Sequence, residues 1–308
     1  MMNLVAFAGA LEQGFLYGLV ALGVYISFRI LDFPDLTVDG TFPLGGAVAA
    51  SLMMQGVHPL LATGLAIVAG AIAGLCTAVM NVYFKILNLL ASILTMIALY
   101  SINLRIMGQP NIALLGQETL VSGWKTTLQS VSSGSWLGSQ LGVVLLLGMI
   151  AIAAKVLLDI FFKTEMGLAM RATGANPSMA RAQGISTNQM ILLGMAMSNG
   201  LVALAGALAA QVNGFADVQS GVGTIVFGLA AVIVGETLLP GLTVFRATIA
   251  AILGSILYRL AIAFALELSF LGLKSQDLNL ITAILVGAAL VIPRWQQQYR
   301  KRSQAVKN

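Results

Sequence analysis

The chain has 308 residues, of which 58% are hydrophobic and only 9% charged, with a mean hydropathy of +0.94. No soluble domain could bury that much apolar surface, so the composition excludes a soluble enzyme or binding module and points to an all-α, polytopic membrane protein. The net charge of +5 does not read as nucleic-acid affinity, because the basic residues gather at span ends and in the tail at 294–307, where they set orientation.

The N-terminus has no basic n-region and no small-residue cleavage site, so it reads as a retained first span that starts outside. Nine apolar segments follow one another at about 10–31, 41–56, 59–83, 86–107, 139–162, 188–211, 223–239, 243–267 and 277–293. Two of them, 41–56 and 223–239, are shorter than the roughly 20 residues that cross the hydrocarbon core. Each follows polar, Gly- or Pro-containing sequence, which predicts broken or re-entrant helices. An N-outside, C-inside threading places 12 of the 16 basic residues, Lys155 among them, on or near the cytoplasmic side, with Arg105, Lys125, Arg259 and Lys274 outward. The whole of 1–308 is then one transmembrane domain with an external loop at 108–138 and a cytoplasmic loop at 163–187. Cys76 is the only cysteine, which rules out an intrachain disulfide, and His58, the only histidine, reads as an interfacial residue beside Pro59 rather than a metal ligand.

Between the first two spans stands LDFPDLTVDGTFPLGG, residues 31–46. Pro34 and Pro43 interrupt a helix, and three carboxylates, Asp32, Asp35 and Asp39, are dense for a segment between apolar runs. They fit either a solvated cytoplasmic turn or a translocation path. Thr37 and Thr41 favour the path by carrying the polar stripe into the next span. A shift of 182 residues then repeats the pattern: GLVAL at 18–22 returns at 200–204, Phe33 at Phe215, Asp35 at Asp217 and Gly46 at Gly228. Matches among Gly, Ala, Leu and Val are cheap in such a chain, but the shared Phe-x-Asp is not. In the nine-span threading the repeats run in opposite directions, an arrangement that places the substrate path at the repeat interface. Phe33, Asp35, Thr37, Asp39, Thr41, Phe215 and Asp217 are therefore the candidate path residues. Farther on, Glu236 has Arg246 across the next turn as its expected ion-pair partner.

A charged, helix-capable segment held between two long apolar runs is FKTEMGLAMRATGANPSMARAQGIST, residues 162–187. Asn176 suits an N-cap, Pro177 the first helical position and Gly184 a left-handed close, which predicts a helix of about seven residues, roughly 10 Å long. Lys163, Arg171 and Arg181 mark it as cytoplasmic. An amphipathic helix lying on the membrane is the plain alternative.

GFLYGLVALGVY at 14–25 with ILDF at 30–33, GLAMRATG at 167–174, ARAQGI at 180–185, LVALAG at 201–206 and GLAAVIVGETLLPG at 228–241 together resemble permease subunits of ABC importers of the branched-chain amino-acid type. The wording of 32–46 is most similar to tryptophan/tyrosine-type permeases. Two departures stand out: Glu236 replaces a second glycine, and the acidic turn replaces a more neutral one, which argues against a branched-chain substrate. The resemblance implies a multi-pass subunit of the bacterial cytoplasmic membrane that imports amino acids or similar small nitrogenous solutes. It implies as partners a second permease copy in a homodimer, two cytosolic ATP-binding subunits and an extracytoplasmic substrate-binding protein. It makes Arg171, Asn176, Pro177, Ala180, Arg181 and Gly184 the residues that couple to the ATPase. The sequence carries no G-x-x-x-x-G-K-[ST] loop, so ATP and Mg are expected on the partner and the chain is expected to have no catalytic residue, metal or cofactor of its own. An ion-gradient-driven secondary transporter shares the repeats and broken helices, but has no use for the capped basic helix.

Overall fold

The computed structural model describes residues 4–124, 136–239 and 243–267, together with position 287. Helix α1 (Leu4–Val24) widens into a π-type turn at Tyr25–Ile30, and an irregular connection leads to α2 (Val38–Met54). Next come α3 (Pro59–Val82), α4 (Asn88–Met107), the short strand β1 (Asn111–Ala113) and a helical turn at 120–124. After α5 (Trp136–Phe161) stand two shorter helices, α6 (Glu165–Ala175) and α7 (Pro177–Ala182), and then the long α8 (Thr187–Asn213). The chain continues through β2 (Phe215–Asp217), a 3-10 turn (Val218–Gly221), α9 (Thr224–Leu238) and α10 (Val244–Glu267).

Among the described residues seven helical stretches are long and apolar enough to cross a membrane: Ala6–Ile30, Pro59–Val82, Asn88–Met107, Gln140–Phe161, Thr187–Asn213, Val218–Leu238 and Val244–Phe264. The expected segment at 41–56 is α2, whose 17 residues make only about 25 Å of helix at 1.5 Å per residue. The expected span at 277–293 lies outside the described residues. Among the described residues the nine expected spans thus become seven plus this shorter helix. The all-α expectation is corrected in one place. β1 and β2 form an antiparallel ladder that pairs Asn111 with Asp217 and Ala113 with Phe215.

Packing follows the 182-residue repeat. Under that shift α1 falls on α8, α2 on α9 and α3 on α10. Helix α3 packs on α8 as α10 packs on α1, α2 lies on α8 as α9 lies on α1, and α2 touches α3 as α9 touches α10. The interfaces are lined by small buried residues, among them Ala47, Ala50, Ala203, Ala205 and Ala207. Between helices in lipid there is no hydrophobic gain from contact, so close approach of small residues carries the packing. Leu60, Leu61, Val68, Ile72, Leu145 and Leu157 stand exposed, as an apolar surface facing lipid chains requires.

Two polar side chains near helix ends find partners within the chain. Lys155 is buried, ion-paired with Asp159 one helical turn on, and its Nζ lies 3.5 Å from the centre of the Phe245 ring. Thr248 donates to the free oxygen of Asp159 at 2.8 Å, so the pair fastens α5 to α10. His58 stands exposed beside Pro59 at the start of α3. Its Nδ1 accepts from the Leu60 N–H at 3.3 Å and caps α3, with Pro59 in the first turn.

Candidate functional site

The first interruption, residues 31–37, is held by hydrogen bonds that leave little open space. Asp35 is 1% exposed. Its Oδ1 accepts from the Thr37 N–H at 2.9 Å and its Oδ2 from Asn199 Nδ2 at 2.8 Å, about midway along α8. The Oδ1 of the same asparagine accepts from the Thr41 hydroxyl at 2.8 Å. A row of hydroxyls runs away from this point: Thr95 donates to the Ala91 carbonyl, Thr77 to Thr95, and Thr37 is left to donate to Thr77. Four helices, α2, α3, α4 and α8, are joined by this one network. Phe33, two residues before Asp35, is 2% exposed and belongs to the apolar core. Asp32 stands apart, exposed and in a left-handed conformation with φ 53°. The expected polar stripe of Asp35, Thr37 and Thr41 therefore does not border open space; it lies sealed inside the bundle.

The second interruption, residues 214–223, repeats the turn with different surroundings. Asp217 Oδ1 accepts from the Gln219 N–H at 2.7 Å, the same two-residue reach that Asp35 makes to Thr37. Phe215, by contrast with Phe33, is 43% exposed. Phe215 and Asp217 lie in β2 and are not brought into the Asp35 network. The two interruptions meet instead through Asp39. Its carboxylate accepts from the backbone N–H groups of Gly223 at 3.1 Å and Ile225 at 2.7 Å, which caps α9 from the first turn of α2. Pro43 has no N–H to offer the Asp39 carbonyl, and the Gly221 backbone packs against that free carbonyl. A Cβ at 221 would sit 1.9 Å from it, so no residue other than glycine fits. Residues 39 and 221 are 182 apart, so this contact joins one position of the repeat to its own counterpart.

At the 163–187 segment the structure builds two helices where one was expected. Thr164 caps α6 by accepting from the Gly167 N–H at 3.3 Å, and Asn176 Oδ1 accepts from the Met179 N–H at 3.0 Å to start α7. Pro177 is the first residue of α7, and Gly184 follows it with φ +81°. Asn176, Pro177, Arg181 and Gly184 are exposed and Arg171 is half-buried. Ala180 is 2% exposed: this methyl seats α7 on the chain itself, while Met179 and Arg181 are exposed. Helix α6 in turn presses on the end of α1. A Cβ at Gly174 would lie 1.8 Å from the Ile30 carbonyl oxygen. Beside this contact Arg29 grips Glu236 through two bonds, Nε to Oε1 at 2.6 Å and Nη2 to Oε2 at 2.5 Å. Glu236 therefore pairs with Arg29 rather than with the expected Arg246, because α9 ends beside the π-type turn of α1.

Sequence reasoning missed Asn199, Thr77 and Thr95. The available signal was an amide in the middle of an apolar helix, since a polar group there needs a partner.

Interrupted helices that meet inside a bundle of membrane-spanning helices, with a capped helix pair pressed against one end, define a multi-pass permease. The chain belongs to the family described as "Branched-chain amino acid transport system / permease component", which matches residues 6–292. It is a transport subunit of an ABC-type system in the inner membrane. It is 42% identical over 280 residues to the tyrosine transport system permease protein of Clostridioides difficile strain R20291, covering 91% of this chain and 88% of that one. It is 26% identical over 268 residues to the ribose import permease protein RbsC of Escherichia coli K12, covering 85% and 78%. It is 27% identical over 206 residues to the probable branched-chain amino acid transport permease protein LivH of Methanocaldococcus jannaschii, covering 65% and 64%. No solved structure matches the chain.

Proposed function

We propose that this chain is the membrane subunit of an ATP-driven importer for amino acids or similar small nitrogenous solutes. Two copies form the pathway, two cytosolic ATPases holding ATP and Mg dock on the α6–α7 pairs, and an external binding protein delivers the solute. The N-terminus lies outside, the C-terminus inside, and the repeat is inverted. The observation that carries this reading is the contact of Gly174 with the Ile30 carbonyl. A push on α6 reaches the start of the first interruption directly, with no flexible linker to absorb it, and Asp35 follows within a few residues. The exposed coupling face is Arg181 with Asn176, Pro177 and Gly184, while Ala180 holds it in register and Arg171 lines the groove between α6 and the end of α1. The path residues Phe33, Asp35, Thr37 and Thr41 act as the lock that the push releases, Asp39 as the link between the repeats, and Phe215 and Asp217 as the outer counterpart. The amino-acid substrate class is supported by the tyrosine permease relative, which covers nearly the whole chain.

The test is uptake of L-tyrosine into proteoliposomes carrying the permease and its ATPase, with the binding protein supplied. Accumulation should require ATP hydrolysis and survive collapse of the proton and sodium gradients, and Arg181→Glu should reduce both uptake and copurification of the ATPase. Uptake that follows an ion gradient without ATP would establish a secondary transporter instead.

A further inference from the structure

The meeting point of the two interrupted helices opens into a cavity of about 440 Å³ between α2, α4 and the segment that leads into α9. One of its lining residues has a hydrogen-bonding atom with nothing to bond. Asn103 is 1% exposed, and its Nδ2 donates to the Gly40 carbonyl at 3.2 Å. A carbonyl cannot donate, so the amide is fixed with its nitrogen toward Gly40 and its Oδ1 turned away. That Oδ1 is buried and takes no hydrogen bond among the described residues. Burying an acceptor without a donor is unfavourable, and such atoms in native structures call for an explanation.

The other polar groups of the cavity say what kind of partner fits. A helix N-terminus interrupted inside a membrane bundle ordinarily attracts the anionic part of a solute. Here Asp39 already fills that position, with the N–H groups of Gly223 and Ile225 on its carboxylate. The place for an anion is therefore occupied by the chain itself. What remains at the cavity is acceptor capacity: Asp39 and Ser101 line it, and Asn103, in the same wall, has its Oδ1 covered and unbonded among the described residues. The rest of the wall is apolar or aromatic, with Met96, Tyr100 and Val222. Acceptors set in an apolar wall suit a positively charged donor carried on an apolar body.

We propose that this cavity is a station on the transport path for the ammonium group of the solute, received by Asn103 Oδ1 and the Asp39 carboxylate. The inference rests on the reading of the chain as an importer of nitrogenous solutes and adds to it where, and by which charge, the solute is held. It also makes the path selective: a carboxylate without an ammonium group meets Asp39 and is repelled.

The experiment uses the permease with its ATPase in nanodiscs, without the binding protein, in a Cys76→Ser background that carries Ser101→Cys. Labelling of this cysteine by a small thiosulfonate reports on the cavity, with L-tyrosine, tyramine and 3-(4-hydroxyphenyl)propionate as probes. L-Tyrosine and tyramine, which carry the ammonium group, should slow labelling, and the propionate, which lacks it, should not. Asn103→Leu should weaken the protection about tenfold, while Asn103→Asp, which keeps an acceptor there, should retain it. Protection by the propionate equal to that by tyramine, protection unchanged in Asn103→Leu, or no labelling of the cysteine at all would overturn the proposal. ATP-dependent uptake of L-tyrosine by the same complex, with binding protein added, is measured in parallel. Uptake without protection overturns the station and leaves the importer standing. Protection without ATP-driven uptake supports the station and overturns the importer, and the absence of both overturns both.

Discussion

Asp35 and Asp217 accept the same backbone hydrogen bond two residues on, and from there the two interruptions part. Asp35 is enclosed and its second oxygen is taken by Asn199. Asp217 is half-buried in a strand at the edge of the bundle, where its turn is completed by Ser220 donating to its carbonyl. The contact between the repeats is divided in the same way. Asp39 is matched at the 182-residue shift by Gly221, and Ile225, whose N–H Asp39 accepts, is matched by Pro43. The reciprocal contact thus lacks both its acceptor and its donor. One repeat supplies the carboxylate and the other supplies the helix end. Duplicated sequence has kept the backbone turn, while the polar groups around it have been divided into a locked junction and a tethered one. Enclosed hydrogen bonds resist rearrangement because nothing replaces them when they break, whereas bonds near water are exchanged at little cost.

The contrast is open to direct attack. Asp35→Ala leaves the Asn199 amide and the Thr37 N–H without an acceptor in an enclosed place, and should destabilise the purified chain by about 3 kcal/mol. Thermal unfolding in detergent reads this loss. Ile225→Pro tests the link between the repeats: proline is admissible in the first turn of a helix, but it removes the N–H that Asp39 accepts and should cost about 1–2 kcal/mol. In an Asp39→Ala background the same change should cost less, and strict additivity would show that the two positions are not joined. Asp217→Ala removes only a half-exposed cap and should cost about 1 kcal/mol, measured beside Asp35→Ala. Equal losses at the two aspartates would abolish the distinction between locked and tethered junctions. The smallest effect is expected at Arg29→Ala or Glu236→Ala, below about 1 kcal/mol and shrinking as salt is added, because the arginine side chain is 56% exposed. A loss there that matched Asp35→Ala would move the lock to the end of α1.

The apolar blocks, the short helix α2, the Asn176 cap, the left-handed Gly184 and the 182-residue repeat were all legible in the chain, because each depends on residues close in sequence or on a pattern of composition. Span length follows from a run of apolar residues, and a cap follows from a side chain three positions from its donor. Tertiary structure alone decided where the polar groups of those segments went. Asp35 and Asn199 are 164 residues apart and meet only because α2 packs on α8. Glu236 finds Arg29, 207 residues away, rather than its neighbour Arg246, because α9 ends beside the π-type turn of α1. Ala180 turns inward for the same kind of reason: a helix of six residues has one face, and which way it looks is set by what lies beneath it. In an apolar chain a few polar atoms carry most of the specificity, and each bonds to whatever the packing of the helices places within reach.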